Sequence, residues 1–268
     1  MKRDSARHVT VLAACTMILC GCGGGTKLLK EEQPITATKP LATASDERVD
    51  LALEWIIVRD GPGTWARNAD WDEYLLRVVN RSDAAVVIEG ITVFDSLDTA
   101  LTPFDRRKDL VKASKQTARR YRDEGIRVKA GQGAGGLLVA GAAVTVVGAG
   151  AATASAMGAI LGGGTTASAG AAAGGLLILG PVIAVGGVMR GMNNSSVNSA
   201  IGERHTPLPK TVDAGDTQIL DVFFPIAPSP GRVEVVYADT TGTHRITLDT
   251  SDAVGGLHLQ DDERSAGD

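Results

Sequence analysis

Cysteine occurs only at positions 15, 20 and 22 of this 268-residue chain, so nothing beyond residue 22 can be cross-linked by an internal disulfide or held by a thiolate-ligated metal. Histidine is scarce too. His8, His205, His244 and His258 are the only four, and no two stand at metal-ligand spacing. Aromatic side chains make up 4% of residues, and none lies between Tyr121 and Phe223. From Gly131 through Met189, 59 residues, there is no Asp, Glu, Lys, Arg or His. The chain also lacks a G-x-x-x-x-G-K-[ST] phosphate loop, a G-x-S-x-G nucleophile elbow and a paired-carboxylate motif. These absences remove the usual signatures of nucleotide hydrolysis, serine hydrolysis and zinc chemistry, and no residue is nominated as catalytic or as a metal ligand.

The N-terminus reads MKRDSARHVTVLAACTMILCGCGGG, with Lys2, Arg3 and Arg7 ahead of an apolar run from Val9 to Leu19. That is the layout of a secretory signal. The run ends in Leu19-Cys20-Gly21-Cys22, which resembles the lipobox of bacterial lipoproteins. Leu19 stands at the lipobox leucine, Gly21 at the small residue before the cut and Cys22 at the lipidated thiol, while Cys20 departs from the usual Ala or Ser. The resemblance implies cleavage between Gly21 and Cys22, and diacylglycerol plus an N-acyl chain on Cys22, with no other cofactor. Gly23 rather than Asp after the cysteine implies the outer membrane, lipid-anchored on its periplasmic face. Removing residues 1–21 takes away three basic residues and one acidic, leaving 24 against 30 and a formal charge of −6. Nucleic acid is a poor partner for such a chain, and nucleotide is not expected.

Residues 22–46, rich in Gly, Thr, Pro, Lys and Ala without periodicity, are expected to form a lipidated tether spanning roughly 25–30 Å on average. Period-two alternation then begins, with Leu51, Leu53, Trp55 and Ile57 on one face of VDLALEWIIV before a Gly61-Pro62-Gly63 turn. Further strands are expected at 72–80, 86–95, 218–224, 232–238 and 244–249. Their spacing predicts an antiparallel β-sandwich whose strands fall in two blocks, 47–104 and 206–250. The segments Val79-Asn80-Arg81-Ser82, Ile91 to Asp95 and Asp213-Ala214-Gly215-Asp216 resemble small immunoglobulin-like modules of bacterial envelope proteins. The fold class expected is α+β: an immunoglobulin-like β-sandwich interrupted by a basic helix (105–130) and a Gly/Ala-rich helical hairpin (131–191). A polar connector (192–205) and a disordered acidic tail (251–268) complete the chain. Asp105 to Lys129 holds ten basic and four acidic residues, with Leu110, Val111, Ser114, Ala118 and Tyr121 near helical spacing and Gly125 placed to end the helix. The face is either simply solvated or in contact with anionic lipid headgroups.

The uncharged stretch admits three readings. Gly131-Gln132-Gly133-Ala134-Gly135-Gly136 matches G-x-G-x-x-G, but a dinucleotide site needs an acidic residue about 20 positions on, and none occurs before Glu203. A linker would be Ser-rich and polar, whereas this stretch holds 17 Gly, 16 Ala and 16 Val, Leu or Ile. Two apolar arms, Gly133 to Leu161 and Ala171 to Met189, are each long enough to span a membrane as helices. Seven glycines in the first arm oppose helix formation in water by about 6–7 kcal/mol, whereas lipid penalises the unpaired backbone more. Gly150, Ala154, Gly158 and Gly162 recur at i, i+4, with a second row at Gly141, Thr145, Ala149 and Thr153. The rows resemble the glycine-zipper hairpins of some outer-membrane lipoproteins, although that family's strict repeat is missing and Pro181 interrupts the second arm. The alternative is a hairpin packed on its own sandwich or on a partner protein.

The loop RNADWDEY, with Trp65 just ahead of it, is read as a core plug, with partner binding as the alternative. The expected function is a non-enzymatic structural or accessory component of the envelope, with membrane lipids and an envelope protein, or a second copy of the hairpin, as partners. The competing expectation is an oligomeric pore or export channel built through the glycine rows.

Overall fold

The computed structural model describes residues 26–30, 35, 39–135 and 194–260. The strands are β1 (Lys27–Leu28), β2 (Ala42–Ser45), β3 (Val49–Ile57), β4 (Ala66–Arg67), β5 (Asp72–Asn80), β6 (Val86–Phe94), β7 (Ala100–Leu101), β8 (Lys210–Val212), β9 (Thr217–Phe224), β10 (Arg232–Asp239) and β11 (Gly242–Asp249). The helices are α1 (Arg107–Asp123), α2 (Asn194–Arg204) and α3 (Ser251–Val254). All six strands expected from alternation are present.

Two antiparallel sheets account for the long strands, one in the order β2-β3-β5-β9 and one in the order β11-β10-β6. The free edge of β6 takes two short strands at different ends, β8 beside Val86–Ile88 and β7 beside Val93 and Phe94. Alternating apolar residues bind the sheets into one core. Leu51, Leu53, Ile56, Tyr74, Leu76, Leu220 and Val222 of the first sheet cluster with Val86, Ile88, Ile91, Val93, Val233, Val235 and Ile246 of the second. The chain is thus mostly antiparallel β with a few helices, compatible with a sandwich. Each sheet contains strands from both sides of the long interruption, since β9 pairs with β5 while β10 and β8 pair with β6.

The alternation in β3 does not run straight through. Leu53 lies opposite Leu76 but Trp55 lies opposite Leu75, so the register shifts at Glu54. A β-bulge of this kind flips every later side chain to the other face. Ile56 therefore joins Leu51 and Leu53 in the core, and Trp55 and Ile57, expected beside them, point outward. They are buried nonetheless, because Trp65, Phe223 and α2 residues Val197 and Ile201 also pack into the buried apolar cluster.

Helix α1 docks by Leu110, Ser114, Thr117 and Tyr121, an i, i+4, i+7, i+11 seam. Ser114 Oγ lies 2.6 Å from the Asp70 carbonyl and accepts the Ile226 N–H at 2.9 Å, and Tyr121 Oη lies 2.8 Å from Ser96 Oγ. Arg120 pairs with Asp95, whose other oxygen accepts the Leu97 and Thr99 N–H groups at 3.0 Å. Gly125, at φ 78°, ends the helix as expected. Its N–H bonds the Arg122 carbonyl at 3.0 Å and the Ile126 N–H bonds the Tyr121 carbonyl at 2.9 Å, the Schellman pattern that satisfies the last carbonyls.

Three expected boundaries change. The tether assigned to 22–46 is engaged well before its end: β1 pairs with β4, Thr26 is buried, and β2 pairs with β3. Edge strands need only backbone pairing, which period-two patterning does not reveal. The polar connector is helix α2, formed around the buried Val197 and Ile201. Residues 251–260, expected within a disordered tail, are folded, since Val254, Leu257 and His258 are buried. The hairpin of 131–191 lies, beyond residue 135, outside the described residues, and among the described residues no helix is long and apolar enough to cross a membrane.

The folded C-terminal segment clamps the start of the interruption. The Lys129 N–H bonds the His258 carbonyl at 2.9 Å, the His258 N–H bonds the Gln132 carbonyl at 2.7 Å, and the Gln260 N–H bonds the Arg127 carbonyl at 3.0 Å. Gly131 sits inside this clamp at φ 79°, and a Cβ there would lie 2.2 Å from the Arg59 carbonyl oxygen. Glycine is required at 131 by backbone approach. Gly131→Ala is expected to lower stability by about 3 kcal/mol, combining left-handed strain with a backbone clash. Gly202→Ala, in helix α2 with open space around it, is expected to raise stability by up to ~1 kcal/mol. Thermal unfolding followed by circular dichroism compares the two, and equal effects would refute the clamp.

Candidate functional site

The residues singled out for lipidation and cleavage, Cys22 and Gly21, and those for helix packing, Gly141, Gly150, Ala154, Gly158 and Gly162, lie outside the described residues. Thr26, four residues after Cys22, is buried, and its hydroxyl accepts from Arg107 Nε at 3.1 Å and Nη2 at 2.9 Å. The Arg107 backbone N–H in turn donates to Asn198 of α2 at 3.3 Å. Arg107 is the first residue of α1, so Thr26 and the returning helix α2 meet at one helix end.

From that end runs a row of cations. Lys108, Lys112, Lys115, Arg119 and Arg122 are all exposed, and their i, i+4, i+7, i+11, i+14 spacing confines them to an arc of about 80° opposite the buried seam. A groove of about 370 Å³ opens along the same face, lined by Arg107, Val111 and Gln116 as well as four of these cations.

On the outer face of the first sheet lies a buried acidic pair. Glu73 on β5 and Asp221 on β9 are diagonal neighbours, Glu73 being opposite Phe223 and Leu75 opposite Asp221. Arg204, at the end of α2, places Nη2 2.8 Å from Glu73 Oε1 and Nε 3.8 Å from Asp221, and its guanidinium lies over the Trp65 ring at 5.1 Å. Trp65 Nε1 donates to the other Glu73 oxygen. Burial, then the neighbouring Glu73 charge and hydrogen bond, push the Asp221 carboxyl up to about 10 against the pull of Arg204. Burial also lowers the nearby His205, opposed by Asp105.

On the core side of β5, Asp72 is fully buried and meets His258 Nε2 at 3.0 Å. His258 Nδ1 accepts the Gly131 N–H at 3.0 Å, and Asp72 accepts the Ala227 N–H at 3.1 Å. Since Nδ1 is an acceptor, the ring proton sits on Nε2 and points at Asp72. Both nitrogens are used in fastening the clamp. A fourth cluster joins the chain before β3 to the β10–β11 hairpin. Tyr237 donates to Asp46 at 2.7 Å, and Arg48 pairs with Asp239 and meets Thr241 Oγ1 at 2.6 Å and His244 Nε2 at 2.8 Å. Desolvation opposes the Asp239 charge, yet Thr241, His244 and Arg48 hold it well below the usual carboxylate range.

Sequence reasoning placed Trp65 and Trp71 as core plugs, and both are buried. It missed Glu73, Asp221 and Arg204 as a unit, because their proximity comes from β5–β9 pairing and from a helix read as a connector. Among the described residues no group of three or more His, Cys, Asp or Glu is arranged to hold a metal ion.

The proton on Asp221 sets a pH dependence. Its folded value lies above its unfolded value near 3.8, so the stability it supports is complete below about pH 4 and is lost progressively as pH rises toward about 10. Asp221→Asn keeps the neutral shape and removes this loss. The variant is expected to exceed the parent by about 2 kcal/mol, roughly 4–8 °C in melting temperature, at pH 8, with the gap shrinking at pH 5. Parallel melting curves from pH 5 to 9 would expose the error if the gap stays constant.

Comparison with protein-family models, with curated proteins and with solved structures finds no match to this chain. Its chemistry is therefore read from its own residues.

Proposed function

We propose that the chain is a non-enzymatic lipoprotein, anchored through acyl chains on Cys22 to the periplasmic face of the outer membrane. Its immunoglobulin-like β-sandwich serves as a structural or accessory component of the envelope or of an envelope complex. The signal segment and Leu19-Cys20-Gly21-Cys22 supply the anchor reading. The observation that carries it into three dimensions is the seat of Thr26 on Arg107. Four residues extend at most about 14 Å, so an anchor at Cys22 holds the domain against its membrane instead of letting it range on a long leash.

The buried clusters favour a structural role over a catalytic one. The His258 nitrogens are both engaged and its side chain is wholly enclosed, and Glu73 faces Arg204 and Trp65 in the same way. No substrate atom can reach either group without unfolding its cover. Two apolar arms in residues 131–191 would add a second hold to the acyl chains, since a single lipid attachment is reversible.

Intact-mass analysis of the protein from bacterial membranes tests the reading. The expected product begins at Cys22 with added diacylglycerol and acyl mass and fractionates with the outer membrane, while Cys22→Ala accumulates uncleaved and without lipid. A wild-type chain cleaved elsewhere, or bearing no lipid, would end the proposal.

A further inference from the structure

We infer that the exposed face of α1 is a binding surface for anionic phospholipid headgroups of the membrane that holds Cys22, and that it fixes the domain's orientation there. The inference rests on the lipoprotein reading for its membrane, but its evidence is separate. Lys108, Lys112, Lys115, Arg119 and Arg122 form one exposed row, and none of the five makes an ion pair or side-chain hydrogen bond among the described residues. Several arginines off the row, Arg48, Arg59, Arg77, Arg81, Arg120, Arg204 and Arg232, pair with carboxylates. The sequence has an acidic excess, 31 against 27, and still leaves this row unbalanced. Asp109 and Asp123, the acids within α1, lie on its flanks.

Position selects the occupant. The row starts beside Arg107, whose guanidinium holds Thr26, and Cys22 is within about 14 Å of Thr26. That reach is comparable to the Debye length of about 8–10 Å in physiological salt. A helix of 17 residues is about 25 Å long, so once its first turn is held near the headgroups, one small tilt lays the whole row on them. Anchoring makes contact intramolecular, and weak attraction to each headgroup then suffices. A diffuse anionic plane suits five cations arrayed along 21 Å better than a point ligand does. Nucleic acid would have to approach a chain of net negative charge tied beside a bilayer.

The test uses residues 22–268 expressed without the signal segment and carrying Cys22→Ala, so that neither signal nor acyl chains dominate partitioning, and measures co-sedimentation with vesicles. Vesicles of phosphatidylcholine alone are compared with vesicles containing about one third phosphatidylglycerol. Anionic vesicles are expected to bind at least ~100-fold more tightly at low salt, with the preference lost near 0.5 M salt. The combined Lys108→Gln, Lys112→Gln, Lys115→Gln and Arg119→Gln variant is expected to lose the preference while keeping its melting temperature. Arg127→Gln with Lys129→Gln, which removes exposed cations off the row, is expected to stay within about twofold of the parent.

Any binding through residues 131–191 adds equally to both vesicle types and leaves the ratio unchanged. No preference for anionic vesicles, or a preference that survives neutralising the row, overturns the inference. So does tighter binding to a polynucleotide than to anionic vesicles at the same salt. Lipidation of the wild-type Cys22, read by mass in the same strain, reports separately on the lipoprotein reading, so one can fail while the other stands.

Discussion

Pairing of β5 with β9, and of β6 with β10, is the constraint on which this fold depends. The partners are separated by more than 120 residues, and neither sheet is complete without them. Closing an interruption of the length outside the described residues, 136–193, as a flexible loop costs roughly 3–4 kcal/mol beyond a constant. The compensating interactions are visible: an eight-pair ladder between β5 and β9, a seven-pair ladder between β6 and β10, and a core in which Leu220 lies opposite Leu76 and Val222 opposite Tyr74. A break in either ladder would detach the strands beyond the interruption from one of the two sheets.

The same pairing explains why charged residues are buried on both faces of one strand end. Asp72 and Glu73 are adjacent, so the pleat sends one into the core and the other to the outer face. Each is reached by a segment from the far side of the interruption, Asp72 by His258 and Glu73 by Arg204. Removing one member of either contact leaves a buried polar or charged group without its partner, which is costly. These two contacts therefore act as checks on correct closure: a chain that pairs β5 with β9 in a slipped register places neither partner correctly.

Much of the fold was legible because burial on one face writes a period of two into the sequence. Val233, Val235 and Tyr237 announce β10, and Leu110, Ser114 and Tyr121 announce α1 in the same way. Three features were not legible, each for its own reason. The bulge at Glu54 moves Trp55 to the outer face, and a strand buried on both faces shows no break in its apolar run. Strand β1 and helix α2 are stabilised by backbone pairing and by two apolar residues, which composition alone cannot separate from a linker. The Glu73–Arg204–Asp221 unit exists only after pairing and helix docking, so no spacing in the sequence records it.

The ends of the interruption are fastened independently of what lies within it. Its start is held by His258 and the Arg59 carbonyl around Gly131, and its return by Val197, Ile201 and the bond from Arg107 to Asn198. Arg107 also holds Thr26, so the N-terminal segment and the returning chain share one fixed point on the domain. A segment delivered this way need not contribute to folding of the sheets, and the sheets need not adjust when it changes its surroundings. That separation lets a water-averse sequence be carried by a domain whose own core is complete.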